Sequence, residues 1–395
     1  MITTPTKTTV RAAALALSAT VHVGCVVQAP LPSELQPGVR RDNLGLIAKV
    51  VIDDGGTTFG LTTDIRCGDF DENPGKEIVV AGSSAMAVYD ASFQPLPSAA
   101  IRSPDGTPAD EFAQFWATPY AIVVVDGGRT IEFLGSDFDA HVLRHANGTV
   151  RWTIPHRYEG SDHRQDFGDL DGDGKMEFVL EATGDADYVV VDHEAKPLWS
   201  IPGHVWSAFM ADVAGDENDE VVAVDSNGSR VAYNDRGTVA GVAESKRSIQ
   251  RVTYPAGATK DHFLAVEYRL ADSQTLEVVR TTIEDFAGNT VIELTPPVTQ
   301  PDTTCSVKLK AQSPPYLALC WWSPFQGSAL FGFQSTTAFL RIYAAQGTLA
   351  YEEAMFGREC ALAAIPSSEE GVEDLLFGTS GKVWRYAIET TSVAK

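Results

Sequence analysis

The chain has 395 residues and carries 53 Asp and Glu against 30 Lys and Arg, a formal net charge of −23. That length exceeds the usual single core of roughly 100–200 residues, which leaves either several domains or one repeat architecture. A hydrophobic content of 44% excludes wholesale disorder. So negative a charge argues against nucleic acid as a partner, because that binding is driven by Lys and Arg neutralising phosphates.

Residues 1–24 have the layout of an export signal, with Lys7 and Arg11 ahead of the apolar run Ala12 to Ala19. An apolar stretch of about 8–14 residues is too short to cross ~30 Å of hydrocarbon, which takes about 20. Val23-Gly24-Cys25 resembles a bacterial lipobox, with His22 standing where that motif favours Leu, Val or Ile. The resemblance implies cleavage before Cys25 and lipidation of its thiol. The competing cut after Ala29 would set Pro30 beside the scissile bond. Residues 25–43 contain Pro30, Pro32 and Pro37 and read as an extended tether. On this reading the protein is exported, works in the cell envelope or outside it, and meets a membrane only through a lipid anchor.

From residue 44 to 390 the chain repeats itself. One recurring unit is a strand, a small polar turn and a second strand, as in VLRHANGTVRW at 142–152, VAYNDRGTVA at 231–240 and RIYAAQGTLAY at 341–351. Gly and Asn at such turns tolerate the positive φ of tight hairpins, and the flanking β-branched and aromatic residues favour strands. Turn centres near 91, 147, 195, 236, 288 and 346 are joined by a further turn at Gly381. Seven units result, near 64–96, 113–152, 163–199, 205–240, 249–292, 315–351 and 358–388. This spacing predicts an all-β, seven-bladed propeller of four-stranded antiparallel blades, because each twisted blade buries its faces only against its neighbours. The segment Leu44 to Ile52 has no repeat of its own and is expected beside Lys382 to Ile388, joining the first and last elements. Six or eight blades, or two stacked β domains, are the alternatives.

The second recurring unit is an acidic loop that runs into a strand. Its sharpest copy is Asp169-x-Asp171-x-Asp173-Gly174-x-x-Glu177. Carboxylates at alternate positions with a glycine bend let one short loop wrap a hard cation; the Lys175 carbonyl and Glu177 complete the ligand set. An EF-hand would place its Glu three residues later, where this chain has Leu180, and would continue into a helix. This pattern is similar to the FG-GAP/VCBS repeat, the calcium-loop propeller unit found also in integrin α-chain heads. That resemblance implies Ca2+ held by Asp169, Asp171, Asp173, Lys175 and Glu177. It implies a second, weaker site at Asp69, Asp71, Asn73, Gly75 and Glu77, where an amide replaces one carboxylate. In a third copy Ala214 takes a ligand position between Asp212 and Asp216, which puts a full site there in doubt.

Common catalytic signatures are missing: there is no G-x-S-x-G elbow and no H-E-x-x-H. His156, His163 and His204 are candidates to gather at one mouth of the ring. Phe112, Phe115, Trp116, Trp321, Trp322 and Phe325 are read first as filling the wedges between blades, with faces exposed for sugars or protein contacts as the alternative. Trp152, Trp199 and Trp384 recur at corresponding strand positions and are expected between blades. Beyond the tether lie Cys67, Cys305, Cys320 and Cys360, an even number that allows three disulfide connectivities or four free thiols. Cys305–Cys320 with Cys67–Cys360 is the preferred pairing, since ring closure makes the first and seventh units neighbours. The functional expectation is a calcium-binding, non-catalytic platform for a protein or glycan ligand. A carbohydrate-active enzyme, similar to polysaccharide lyases that carry such propellers, is the alternative.

Overall fold

The structure, a computed structural model, describes residues 40–53, 62–70, 76–82, 86–97, 101–106, 108, 118–125, 130–137, 139–156, 165–182, 187–225, 228–244, 248–252, 254, 259–270, 276–299, 301–324, 336–357 and 359–388. The signal and Cys25, most of the tether, Asp71, Asn73, Gly75, Phe112, Phe115, Trp116, His163 and Phe325 lie outside them.

Every element among the described residues is a strand, and the strands form seven antiparallel sheets. Blade one holds β3 (Thr62–Gly68), β4 (Glu77–Gly82) and β5 (Met86–Tyr89), with a bridge from Tyr89 to Pro95 in place of a fourth strand. Blade two runs from β6 (Thr118–Val125) through β7 (Thr130–Asp137) and β8 (Ala140–His145) to β9 (Val150–Pro155). Blade three holds β10 (Gln165–Gly168), β11 (Glu177–Glu181), β12 (Tyr188–Val191) and β13 (Pro197–Ser200). Blade four holds β14 (Ser207–Ala211), β15 (Glu220–Val224), β16 (Arg230–Tyr233) and β17 (Val239–Ala243). Blade five holds β18 (Ser248–Val252), β19 (His262–Leu270), β20 (Leu276–Glu284) and β21 (Thr290–Glu293). Blade six holds β22 (Thr303–Val307), β23 (Tyr316–Pro324), β24 (Thr336–Tyr343) and β25 (Leu349–Phe356), and β1 (Arg40–Asp42) adds a fifth strand at its edge. Blade seven holds β26 (Ala361–Pro366), β27 (Glu373–Thr379) and β28 (Lys382–Ile388).

The fourth strand of blade seven comes from the other end of the chain. β2 (Leu46–Asp53) pairs antiparallel with β28, Leu46 opposite Ile388 and Asp53 opposite Lys382. The expected closure by an N-terminal strand is therefore the one the molecule uses. It matters because an open ring would leave β28 as an unpaired edge.

The core is divided among the seams. Among the described residues there are seven apolar clusters, and each joins one blade to the next. Phe70, Val79, Ile122 and Phe133 fill the seam between blades one and two. Trp152 meets Phe178 across the next seam with ring centroids 5.2 Å apart. The series continues through Val190 with Met210, Val222 with Phe263, Ile283 with Phe339 and Leu340 with Phe377. Ile365 and Leu376 of blade seven pack with Ile65 and Val80 of blade one, which completes the ring. Second strands such as β4 and β15 are buried throughout, because both their faces meet a neighbouring blade. Outer strands such as β13 and β21 are exposed at most positions.

The tight turns follow from local chemistry. In the hairpins at Gly148, Gly237, Gly288 and Gly347, the glycine N–H donates to the carbonyl three residues back, at 2.8–3.0 Å. All four glycines have φ between 68° and 87°. A bulge follows in the preceding strand, as at Ala232/Tyr233 and Ile342/Tyr343, so each is a type I turn closed by a left-handed residue. Gly237 serves a second purpose, since a Cβ there would stand 2.8 Å from the Trp199 ring of the blade before. Trp199 also donates its indole N–H to the Asp235 carbonyl at 3.1 Å. Trp152 and Trp199 are thus inter-blade residues, and Trp384, 6.1 Å between centroids from Phe377 of its own blade, packs against the cluster that fills the seam between blades six and seven.

Candidate cation loops and the opposite face

Each acidic loop joins the first and second strands of a blade, so these loops emerge at the same end of the ring as the tight hairpins. In the loop at 169–177, Asp169 accepts the N–H groups of Gly172 (2.8 Å) and Gly174 (2.9 Å), and Asp171 accepts that of Asp173 (3.1 Å). Glu177 reaches back to accept the Leu170 N–H at 2.9 Å. The loop at 212–220 closes the same way without a full ligand set: Asp212 accepts from Gly215 and Glu217, and Glu220 accepts from Val213 at 2.9 Å. In the first copy Glu77 accepts the Phe70 N–H at 2.6 Å. The recurrent Glu is therefore a loop-closing acceptor in all three copies, a role its position in the motif did not disclose.

Oxygens of Asp169, Asp171 and Glu177 lie within 4.8 Å of one another. Asp173 is not in that set; its carboxylate accepts the Lys175 N–H at 2.8 Å and faces the Lys175 ammonium at 3.3 Å. The Lys175 N–H holds the Asp173 carboxyl below its ordinary range. Glu177 is pushed up to about 7, first by burial and then by the crowding of Asp171, Asp173 and Asp169. Three hard oxygen donors with excess negative charge fit a divalent cation such as Ca2+. In the loop at 69–77, Asp69 is exposed and Glu77 is buried.

The same loops stitch blades together. Asp219 of blade four donates its N–H to the Asp169 carbonyl at 2.9 Å, and Asp261 of blade five does so to Asp212 at 2.7 Å. Asp166 Oδ2 accepts the Met210 N–H at 3.0 Å. Arg251 sits among these carboxylates, 2.9 Å from Asp261 and 3.7 Å from Asp219. Burial, reinforced by Asp261 and Asp166 and opposed by Arg251, pushes Asp219 up to about 6 from its ordinary 3.8. The folded state therefore holds this proton longer than the unfolded chain, and the stability it contributes is complete below pH 3.8 and lost as pH rises through about 6. Asp219→Asn is expected to flatten the fall in urea midpoint between pH 4.5 and 6.5; a variant with the wild-type slope would exclude Asp219 as the titrating group.

Of the candidate histidines, His156 and His204 are described, and they do not come together. His156 is buried beside His141, ring centroids 4.7 Å apart, and its Nε2 meets the Ser136 hydroxyl at 2.8 Å. His141 is bracketed by Gln165 Oε1 (2.9 Å) and the Glu181 carbonyl (3.0 Å). Trp321 is stacked on Phe339 in the seam between blades five and six, not exposed. Two exposed aromatics among the described residues have no counterpart in the sequence expectations: Trp206, 64% accessible, in the connection from blade three to blade four, and Phe356, 70% accessible, at the end of β25. Asp187 holds that connection by accepting the Val205 N–H at 2.7 Å and lies 3.4 Å from His204 Nδ1. Trp206 and His204 belong to the end opposite the acidic loops.

The expected disulfides need correction. Cys67, Cys305, Cys320 and Cys360 are free thiols in the structure. Strand register sets Cys305 opposite Ala318 and Cys320 opposite Thr303, two positions out of step. Cys67 packs in the seam between blades seven and one, while Cys360 packs in the seam between six and seven. The thiol that Cys360 meets is Cys320.

Seven sheets in a closed ring, with one seam per pair of neighbours, define a β-propeller. No family model matches the chain, and no curated protein matches it by sequence. Among solved structures it is similar to a chain of BBS1N in complex with ARL6DN, soaked with mercury, at 10% identity and TM-score 0.49, over 90% of this chain and 99% of that one. The Neurospora crassa Pan2 WD40 domain is similar at 8% identity and TM-score 0.43, over 87% of this chain and 96% of that one. A Bacteroides caccae protein of unknown function follows at 10% identity and TM-score 0.39, over 71% of this chain and 94% of that one. The propeller assignment rests on strand pairing and the seven seams, not on these distant likenesses.

Proposed function

We propose that this chain is an exported, lipid-anchored propeller of the FG-GAP/VCBS type that binds Ca2+ and serves as a non-catalytic platform for a protein or glycan ligand. The observation that carries the reading is the convergence of Asp169, Asp171 and Glu177 on a rim whose loops already brace neighbouring blades. A cation held there would neutralise crowded carboxylates and stiffen the stitched end of the ring. Asp169, Asp171 and Glu177 are its ligands; the loop at 69–77 is a second, weaker site. Ligand binding falls to the opposite end, where Trp206 offers an exposed ring of the kind that stacks on sugars or anchors protein contacts.

Extracellular calcium modules have Kd of roughly 10⁻⁴–10⁻³ M, so calcium at ten times Kd stabilises by about 1.4 kcal/mol. Wild type is expected to melt a few degrees higher in calcium than in chelator, and Asp171→Ala to lose most of that difference. A variant with the full wild-type difference would sink the assignment of that loop. For the ligand face, a glycan array and a pull-down are run with wild type and Trp206→Ala; equal retention by both removes Trp206 from the binding surface. The address is checked by palmitate labelling, which Cys25→Ala should abolish.

A further inference from the structure

Cys320 lies on β23 of blade six, and Cys360 immediately precedes β26 of blade seven. Their thiols face each other across the seam, and both belong to the apolar cluster that fills it. Asp302 ties the pair together from a third direction. Its N–H donates to the Cys320 carbonyl at 2.9 Å, and its Oδ2 accepts the Cys360 S–H at 3.6 Å and the Trp322 N–H at 3.0 Å. Blade seven positions its own cysteine through the Glu359 carbonyl, which accepts the Thr379 hydroxyl at 2.7 Å. A metal does not explain the cluster, since the only three-ligand set among the described residues is Asp169, Asp171 and Glu177.

We propose that Cys320 and Cys360 form a disulfide that staples blade six to blade seven, with a glutathione-type disulfide as the oxidant. While the seam is open to solvent the Cys360 thiol gives up its proton to water, and the thiolate attacks one sulfur of oxidised glutathione, breaking its S–S bond and releasing one glutathione thiolate. The Cys320 sulfur then gives up its proton and attacks the Cys360 sulfur of the mixed disulfide, forming the protein S–S bond and releasing the second glutathione. Two protein thiols are oxidised, one glutathione disulfide is reduced to two glutathione thiols, and the two protons end on those thiols. Cys320 is 0% and Cys360 6% exposed. Burial, with Cys320 and Asp302 adding to it, raises the Cys360 thiol well above its ordinary range. The closed seam therefore protects the thiols, and the bond forms while blade seven is still docking.

The staple has a physical purpose. Blade seven is the one built from both ends of the chain, and a covalent link to blade six holds β26 in place while β2 pairs with β28. A crosslink across the 320–360 loop also restricts the unfolded chain.

The test is to refold the full chain from denaturant in reduced and oxidised glutathione, alkylate free thiols, digest and map the peptides. The expected result is a Cys320–Cys360 crosslink, two fewer titratable thiols than in the fully reduced chain, and slower unfolding of the oxidised protein. Cys360→Ser should show no crosslink at Cys320 and no difference between oxidised and reduced unfolding rates. A full thiol titre after refolding, or a crosslink between any other pair, overturns the proposal. Should the serine variant fail to fold, the wild-type peptide map decides alone. None of these outcomes depends on the calcium loops.

Discussion

A chain lacking residues 1–53 is expected to lose most of its folded, monomeric population. β2 supplies the fourth strand of blade seven and buries Leu46 and Ile52 to 2% and 4% exposure. Burying two such side chains is worth about 1.5–3 kcal/mol each, and the ladder to β28 adds to that. A typical domain has only about 5–15 kcal/mol to lose. The same cut removes β1, where Arg40 lies over the Tyr351 ring, 5.1 Å from its centroid, and donates to the Leu46 carbonyl. It also leaves β28 as a bare edge beside an open seam, the arrangement that recruits other chains. Size-exclusion chromatography and thermal melting of the truncated chain test this. A monomer that melts with the longer protein would mean that the ring does not need its closing strand.

Glu284→Ala is the second substitution expected to do large damage. Arg230 on β16 is 0% exposed and reaches across the seam between blades four and five. Its Nη2 donates to Glu284 Oε2 at 2.9 Å, its Nη1 to the carbonyls of Asp285 and Phe286, and its guanidinium lies over Phe263. Thr282 donates its hydroxyl to the other Glu284 oxygen at 2.8 Å. Removing one partner of such a pair strands a buried charge and costs about 3–5 kcal/mol, far more than the net contribution of the intact pair. The double variant Arg230→Met/Glu284→Leu should therefore be more stable than Glu284→Ala alone. Chemical denaturation of the three proteins checks the order. A loss below about 1 kcal/mol for Glu284→Ala would mean that Arg230 finds water or another anion when its partner is gone.

Glycine turns, repeat spacing and the unrepeated Leu44 to Ile52 segment were enough to read the closed seven-bladed ring, because hairpins are local. A Gly at the left-handed position and β-branched residues beside it act within a dozen residues of one another. The acidic loop at 169–177 was legible for the same reason, although its geometry was only partly so: Asp173 turns to Lys175 and leaves the trio, and Glu177 closes the loop backbone. Roles that depend on a neighbouring blade were not legible. Nothing near Arg230 in the chain indicates that Glu284 completes it, and nothing near Gly347 indicates that the Glu293 carbonyl of the previous blade occupies the space where a Cβ would go. Trp206 and Trp321 differ in the same way, one exposed in a connection and one stacked in a seam.

By itself, then, the amino-acid order determined which segments pair as hairpins, how many such units there are and that the ends must meet, since short-range backbone preferences and burial patterns settle those. Only the tertiary structure decided which cysteine faces which, which charges are buried together and which aromatic ring stays in solvent. Those outcomes depend on strand register and on the packing of one blade against the next, and side chains tens of residues apart come into contact only when the seams form.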